Sequence, residues 1–229
     1  MARNVRDRFQ SSLYSILCLL LSISLGSCYP EFKNPIPPPP ELKADRQILG
    51  TWVGAEYSGS KEQLSIFERS SGWIDVVYIN DIDSKESQKG INVIVFEGYS
   101  TSVNEQKFLC LRFRERDFDD SHEEVGKFLF YILNYETPSN DELIIKHFSL
   151  QKVKELIKEG KLKGDVVKRR GRYFDEITVT SSSDELIEAI SKEGVEAFIE
   201  QDEDDILVFS RGTIGTDSSV GEDEAKDEQ

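Results

Sequence analysis

The chain has 229 residues, a formal net charge of −15 and an isoelectric point near 4.7, and 38% of its residues are hydrophobic. This length suits one domain of ordinary size, and the apolar content is sufficient for a packed core. The strong acidity argues against nucleic acid as a partner, because phosphate binding needs a basic surface. The three cysteines, Cys18, Cys28 and Cys110, do not make a disulfide framework.

Residues 1–27 have the three-part layout of a secretory signal peptide. Three arginines in the first eight residues form a positive leader, and an apolar run over residues 13–25 is followed by the small residues Gly26 and Ser27. As a helix, the run would reach about 20 Å, which is short of the roughly 30 Å hydrocarbon core of a bilayer. A permanent transmembrane helix is therefore the weaker interpretation.

The segment Leu25-Gly26-Ser27-Cys28 resembles the lipobox of bacterial lipoproteins, which is an aliphatic residue, two small residues and a cysteine. The resemblance implies that the Cys28 thiol takes a diacylglyceryl group and that cleavage before Cys28 makes it the acylated N-terminus. The chain would then be held at a membrane by this lipid. Tyr29, in place of an aspartate, favours the outer membrane. The alternative is an ordinary signal peptide that is cut nearby, with a chance cysteine.

Six of the seven prolines fall between Pro30 and Pro40. Such a tract favours the extended polyproline II conformation and acts as a semi-rigid spacer. We therefore expect residues 28–45 to be the lipidated cysteine and a linker that carries the domain clear of the lipid headgroups. A proline-rich ligand for a peptide-binding module is the alternative.

Seven short apolar runs with turn signals between them follow the prolines, and they predict an antiparallel meander. The runs span residues 51–57, 62–68, 73–79, 91–99, 107–115, 127–136 and 142–148. Several of them, such as residues 127–136, are apolar on both faces. A strand with one wet face would not have this pattern, so a second layer must cover the sheet.

Two amphipathic helices late in the chain can supply that layer. Ser149 is the predicted N-cap of a helix that ends at Gly160, and Ser182 with Glu185 forms a predicted capping box for a helix that ends at Gly194. Two more strands are predicted between the helices and a final one at residues 205–211.

The predicted fold class is therefore α+β: a mostly antiparallel β-sheet or half-open barrel with two late amphipathic helices. We expect a single domain over residues 46–212. Residues 213–229 are polar, acidic and without apolar periodicity, which predicts a disordered tail.

At the start of the first predicted strand, Gly50-Thr51-Trp52 is similar to the Gly-x-Trp signature of lipocalins. In that family the tryptophan closes the base of the barrel and a late arginine packs over it, a part that Arg211 would take. The resemblance implies a carrier of a small lipophilic ligand, with Trp52 and Arg211 as candidate ligand-binding residues. The two late helices depart from the lipocalin plan, and a generic tryptophan plug in a β-domain is the alternative.

No recognised catalytic motif, phosphate loop or Cys-x-x-Cys motif occurs, so we predict no catalytic residues, no cofactor and no metal site. Two Ser-x-x-Lys tetrads, at Ser58 and Ser149, resemble a motif of penicillin-binding enzymes. Ser149 is better explained as a helix cap. The tetrad at Ser58 lacks the helix and the later motifs of that family.

The two histidines and the remaining cysteine favour structural roles. His147 alternates with apolar residues on a strand, so it is predicted at the edge of the core. His122 lies in an acidic connection at residues 117–124, which is typical of a solvated hairpin, although carboxylates with one imidazole could bind a divalent ion. Cys110, between two leucines, is predicted to be buried and inert.

Two charged clusters are also interpreted as solvated surface. The basic residues between Lys161 and Arg172 would offset surrounding carboxylates, with contact to an anionic polymer or an acidic partner as the alternative. The acidic cluster at residues 202–205 is typical of a soluble turn.

Three functions from different classes remain open. The favoured one is a lipid-anchored envelope protein with a non-catalytic binding or interaction domain, whose partner would be an envelope protein. The second is a lipocalin-like carrier of a lipophilic ligand. The third is an enzyme, which no set of residues supports.

Overall fold

The computed structural model describes residues 29–54, 60–82, 91–114, 129–168, 175–199 and 206–212. Within these ranges the chain forms eleven strands, two α-helices and one short 3-10 helix. The strands are β1 (Glu31–Phe32), β2 (Gly50–Gly54), β3 (Ser60–Glu68), β4 (Ile74–Ile82), β5 (Ile91–Val103), β6 (Gln106–Phe113), β7 (Tyr131–Ser139), β8 (Glu142–His147), β9 (Gly164–Val167), β10 (Glu176–Val179) and β11 (Ile206–Arg211). The helices are α1 (Leu150–Lys158) and α2 (Ser183–Glu193), and the 3-10 helix is Val195–Ala197.

Eight of these strands form a closed antiparallel barrel. Strands β2 to β8 are neighbours in chain order, which confirms the predicted meander, and β11 closes the barrel by pairing with both β2 and β8. The predicted α+β class with two late helices is confirmed. The barrel is closed rather than half-open, because the alternating apolar residues Leu207 and Phe209 of β11 complete the inner wall.

The interior of the barrel is filled around Trp52, near the start of β2. The inward side chains there are at most 5% exposed, so this half of the barrel is a packed core. Its members are Ile48, Trp52, Leu64, Ile66, Ile74, Val76, Leu109, Leu111, Tyr135, Leu143, Ile145 and Phe209.

A second core lies outside the barrel, over β5, β6 and β7. Helices α1 and α2 and the three-stranded sheet β1-β10-β9 cover these strands. On β6, Phe108 and Cys110 face this outer core, whereas Leu109 and Leu111 face the barrel interior. This double burial explains why these runs are apolar on both faces, as the sequence indicates.

Residues 29–48, here called the strap, lie against the barrel instead of forming a free spacer. Phe32 and Ile36 are fully buried in the outer core. The hydroxyls of Tyr99 and Thr101 donate hydrogen bonds to the carbonyls of Ile36 and Pro37 at 2.6 and 2.9 Å. The structure thus differs from the expected linker over residues 28–45 from Tyr29 onward, because apolar side chains between the prolines insert into the outer core.

Both helices begin where the sequence predicts. The Ser149 hydroxyl accepts a hydrogen bond from the Lys152 N–H at 3.3 Å, and Ser182 and Glu185 form the predicted capping box. No helix among the described residues is long and apolar enough to cross a bilayer.

Several predictions fall outside the described residues. They are the signal peptide and Cys28, the tetrad at Ser58, the connection that contains His122, the acidic cluster at 202–205 and the tail at 213–229.

Candidate functional site

One end of the barrel, here called the base, is closed by Trp52 and Arg211. The Trp52 indole N–H donates a hydrogen bond to the Ile48 carbonyl at 2.7 Å, and the ring is fully buried. The Arg211 guanidinium lies over this ring, 4.2 Å from its centroid. The same guanidinium donates to the carbonyls of Gln47 and Leu49, each at 3.0 Å, and of Asn140 at 2.6 Å.

The structure thus brings together the two residues that the sequence singles out. Gly50, with φ of +120°, permits this approach, because a Cβ at that position would lie 3.0 Å from a guanidinium nitrogen. Trp52 has no exposed surface, whereas the Arg211 side chain is one-third exposed. The place of the pair in the structure is that of a structural seal at the base.

A polar network fastens the strap beside this seal. The Asp45 carboxylate accepts hydrogen bonds from Lys107 at 2.9 Å and from the Tyr135 hydroxyl at 3.0 Å. Burial alone would raise the pKa of Asp45. The hydrogen bonds from Lys107, the Gln47 backbone and Tyr135 outweigh burial and hold the pKa below its usual range.

We call the opposite end of the barrel the mouth. The inward side chains there are only half-buried, although they point into the barrel. Within the described residues, these side chains line the inner wall above the packed core and keep part of their surface uncovered. They are Tyr78, Ile94, Phe96, Phe113, Tyr131, Leu133 and Leu207. The connections at this end, residues 55–59, 83–90, 115–128 and 200–205, lie outside the described residues.

Three aromatic rings line one side of the mouth. The rings of Phe96 and Phe113 stack at a centroid distance of 4.9 Å, and the Tyr131 ring meets them edge-on at 6.2 and 5.4 Å. The Tyr131 hydroxyl donates a hydrogen bond of 3.0 Å to the Glu31 carboxylate of the strap. Burial raises the pKa of this carboxyl group above its usual value.

His147 completes the wall of the mouth. It follows Leu143 and Ile145 on the inward face of β8 and pairs with Leu133 of β7. Its imidazole stacks on the ring of Tyr29, with centroids 4.1 Å apart and planes 19° from parallel. Both ring nitrogens are shielded from solvent and lack a hydrogen-bond partner within the described part of the chain. Burial lowers the pKa of His147 to about 4, so the imidazole is neutral near pH 7.

The alternation of His147 with Leu143 and Ile145 predicts its inward position. It does not predict the unpartnered nitrogens or the contact with Tyr29, since that contact joins residues far apart in sequence. The aromatic residues of the mouth are equally inconspicuous in the sequence, because aromatic side chains in strands are ordinary core residues.

The remaining candidates have structural surroundings. Cys110 is fully buried beside the Ile36 carbonyl, and burial raises the pKa of its thiol to about 12, in agreement with the predicted inert residue. Lys161 pairs with Glu159 and Glu193 at 2.8 Å. Lys163 pairs with Glu185, as expected for a solvated surface. In the described ranges, no group of three or more metal-ligating side chains is placed to hold an ion.

No protein-family model matches the chain, and neither the curated proteins nor the solved structures contain a significant match. The architecture itself is informative. An eight-stranded antiparallel barrel is consistent with a lipocalin-like or other binding fold. Barrels of this size have room inside for side chains or for one small ligand, and ligand pockets occur in the mouths of barrels.

Proposed function

We propose that the chain is a lipid-anchored lipoprotein of the bacterial envelope whose barrel is a non-catalytic binding domain for a small apolar ligand. The observation that carries the proposal is the mouth, where inward aromatic and aliphatic side chains keep part of their surface in contact with solvent. Apolar surface in a concave opening favours binding, since a ligand that covers it gains about 25 cal/mol for each Å² removed from water.

The proposed anchor is Cys28 of the lipobox-like segment at residues 25–28. Cys28 is bonded to Tyr29, whose ring stacks on His147 in the wall of the mouth. Consecutive Cα atoms are about 3.8 Å apart, so acyl chains on Cys28 would hold the mouth close to the lipid surface. In this arrangement, a lipophilic ligand would pass between membrane and barrel without crossing much water. The proposed location is the outer membrane.

Native mass spectrometry of the detergent-extracted protein tests the ligand. We expect a small apolar passenger on the wild type and its loss in Phe96→Arg, which places a charge in the mouth. Phe67→Arg is the matched control, because Phe67 is an exposed aromatic residue on the outside of the barrel. If the wild type carries no passenger and binds no apolar probe, the carrier function is wrong.

The anchor is tested separately by replacing Cys28 with Ser. We expect the wild type to sediment with membranes and to carry acyl mass on Cys28, and the variant to move to the soluble fraction. Three acyl chains hold a protein firmly, whereas one chain binds only marginally. A membrane-bound variant, together with an unacylated wild type, would exclude the lipoprotein assignment.

Exposed apolar side chains on the outer face of the barrel favour a second candidate, docking of an envelope protein. Val53, Phe67, Val93 and Val208 are exposed there, and Val93 lies opposite Ile79 on the neighbouring strand. A photo-crosslinker at Val93 in intact cells tests this candidate, with one at the exposed turn residue Ser139 as the control. A discrete product from Val93 alone would support docking, and equal labelling from both positions would contradict it.

A further inference from the structure

The imidazole of His147 has hydrogen-bonding capacity that the described protein does not use. A neutral imidazole carries one N–H donor and one acceptor nitrogen. Both nitrogens of His147 are buried without a partner in the described residues, on the inward face of β8. Buried polar groups normally find partners, so an unpaired ring on the inward face of the barrel marks a place where a bound molecule can supply one.

An aromatic ring already occupies the face of this imidazole. Tyr29 stacks on it in a nearly parallel arrangement, and Glu31, two residues later, accepts the hydrogen bond from Tyr131. The strap thus places one ring and one carboxylate at the mouth. Tyr29 is the first residue that the structure describes, and the strap is buried more deeply further along, at Phe32 and Ile36. The strap is thus anchored in the outer core by residues other than Tyr29.

The surroundings of this ring are aromatic as well. On β7, Tyr131 lies two residues before Leu133, which pairs with His147 of β8. The Tyr131 ring contacts the rings of Phe96 and Phe113. Offset stacked and edge-to-face contacts between rings stabilise an aromatic guest more than an aliphatic one of equal area. The mouth is therefore suited to a flat aromatic molecule.

We propose that the mouth binds a planar aromatic ligand that carries a hydroxyl or carbonyl oxygen, and that Tyr29 of the strap holds the place of this ligand when the site is empty. The ligand ring displaces the Tyr29 ring and packs against Phe96, Phe113 and Tyr131. Its oxygen forms a hydrogen bond with His147. This inference rests on the binding function proposed above and specifies the class of ligand.

The test uses N-phenyl-1-naphthylamine, a neutral aromatic probe that fluoresces in apolar sites, on the purified full-length protein. In Tyr29→Ala we expect the probe to bind about two to ten times more tightly than in the wild type, because an aromatic pair contributes a factor of this size. Lys33→Ala, an exposed change in the same strap, is the control and should leave the affinity unchanged. Circular dichroism confirms that each variant is folded.

A pair of competitors tests the role of His147. We expect 2-naphthol to displace the probe from the wild type about two to ten times more effectively than 2-methylnaphthalene. One additional hydrogen bond raises the affinity by about this factor. In His147→Phe, which keeps an aromatic ring, the two competitors should be equal. Preference for 2-naphthol in this variant would overturn the assignment of His147.

The outcomes separate this inference from the function on which it rests. If neither the wild type nor any of the variants binds the probe, the proposed carrier function is wrong. If the wild type and Tyr29→Ala bind it equally, or if Tyr29→Ala binds it more weakly, the barrel binds aromatic molecules but Tyr29 is not a placeholder. Either result would overturn the inference while leaving the binding function in place.

Discussion

Arg211 joins three separate segments at the base of the barrel. Its guanidinium covers Trp52 and donates to the carbonyls of Gln47 at the end of the strap, of Leu49 just before β2, and of Asn140 in the β7–β8 turn. A planar group with five N–H donors can make these bonds at one time, whereas an ammonium group cannot stack in the same way. These contacts predict that Arg211 stabilises the base of the barrel.

Replacing Arg211 with Ala should lower the free energy of unfolding by about 2–4 kcal/mol, because several carbonyls lose a charged donor and Trp52 loses its cover. Arg211→Lys should recover only part of this loss. Urea denaturation is the measurement, and Ser210→Ala, an exposed change on the same strand, should alter stability by less than about 0.5 kcal/mol. Equal stability of Arg211→Ala and Ser210→Ala would contradict the seal.

His147 should make the protein less stable in acid. Burial lowers the pKa of His147 to about 4 in the folded protein, against about 6.5 in an unfolded chain. Between these values the unfolded state binds a proton that the native state does not, so stability falls as the pH falls. From pH 7 to pH 4.5, the wild type should lose about 2 kcal/mol more than His147→Phe.

Urea denaturation at several pH values measures this difference. The second histidine, His122, is present in both proteins, so its titration cancels. Parallel curves of stability against pH for the wild type and His147→Phe would show that the imidazole is accessible to protons in the native state.

At the scale of elements, the strap is a part of the folded domain. Ile36 is 1% exposed in the outer core, so Ile36→Ala should cost about 2–5 kcal/mol through lost burial and a residual cavity. Pro38 is exposed in the same tract, and Pro38→Ala should change stability by less than about 1 kcal/mol. Thermal or urea unfolding separates the two, and a neutral Ile36→Ala would restore the free-spacer interpretation.

The sequence predicts most elements correctly, because local patterns determine them. Alternating apolar residues mark β2 to β8, and Ser149 and Ser182 mark the starts of both helices. The closure of the barrel and the docking of the strap depend on pairings between distant residues, such as Trp52 with Arg211. No local periodicity encodes such a pairing, so composition alone led to a spacer where Phe32 and Ile36 are buried.

For the molecule as a whole, counting thiols tests its processing and its packing together. In the proposed processing, Cys18 would leave with the signal peptide and lipidation would consume the Cys28 thiol. Cys110 is buried, with a thiol pKa raised to about 12. We therefore expect the protein from membranes to show almost no reaction with an aromatic disulfide reagent when folded, and one thiol in urea.

The other counts have distinct meanings. Two thiols in urea would mean either that Cys28 is unmodified after cleavage or that a lipidated chain keeps its leader with Cys18, and the intact mass separates these two cases. Three thiols would mean that the leader is retained and Cys28 is unmodified. A fast reaction of the folded protein in a variant with both Cys18→Ser and Cys28→Ser would show that Cys110 is accessible, against the buried environment in the outer core.

In the candidate site, too, local sequence patterns predict some features, whereas others depend on contacts between residues far apart in sequence. The Gly50-Thr51-Trp52 segment and the final arginine predict the sealed base, and the structure places Arg211 on Trp52. The mouth was not predicted, since it depends on which inward side chains the closed barrel leaves partly uncovered. Its aromatic residues and His147 lie on different strands, and they come together only when the eight strands form the closed barrel.

The segment of the domain that is synthesised first makes contacts with residues that are synthesised last. The strap emerges first, but Asn34 bonds to Ser181, 147 residues later, and Gln47 bonds to Arg211, 164 residues later. Neither the strap nor the barrel can therefore reach its final form until nearly the entire domain has left the ribosome, and contacts of such long range form slowly. Until then the chain lacks its closing contacts, and under the processing proposed above this delay would keep it unfolded enough for a narrow protein-export channel.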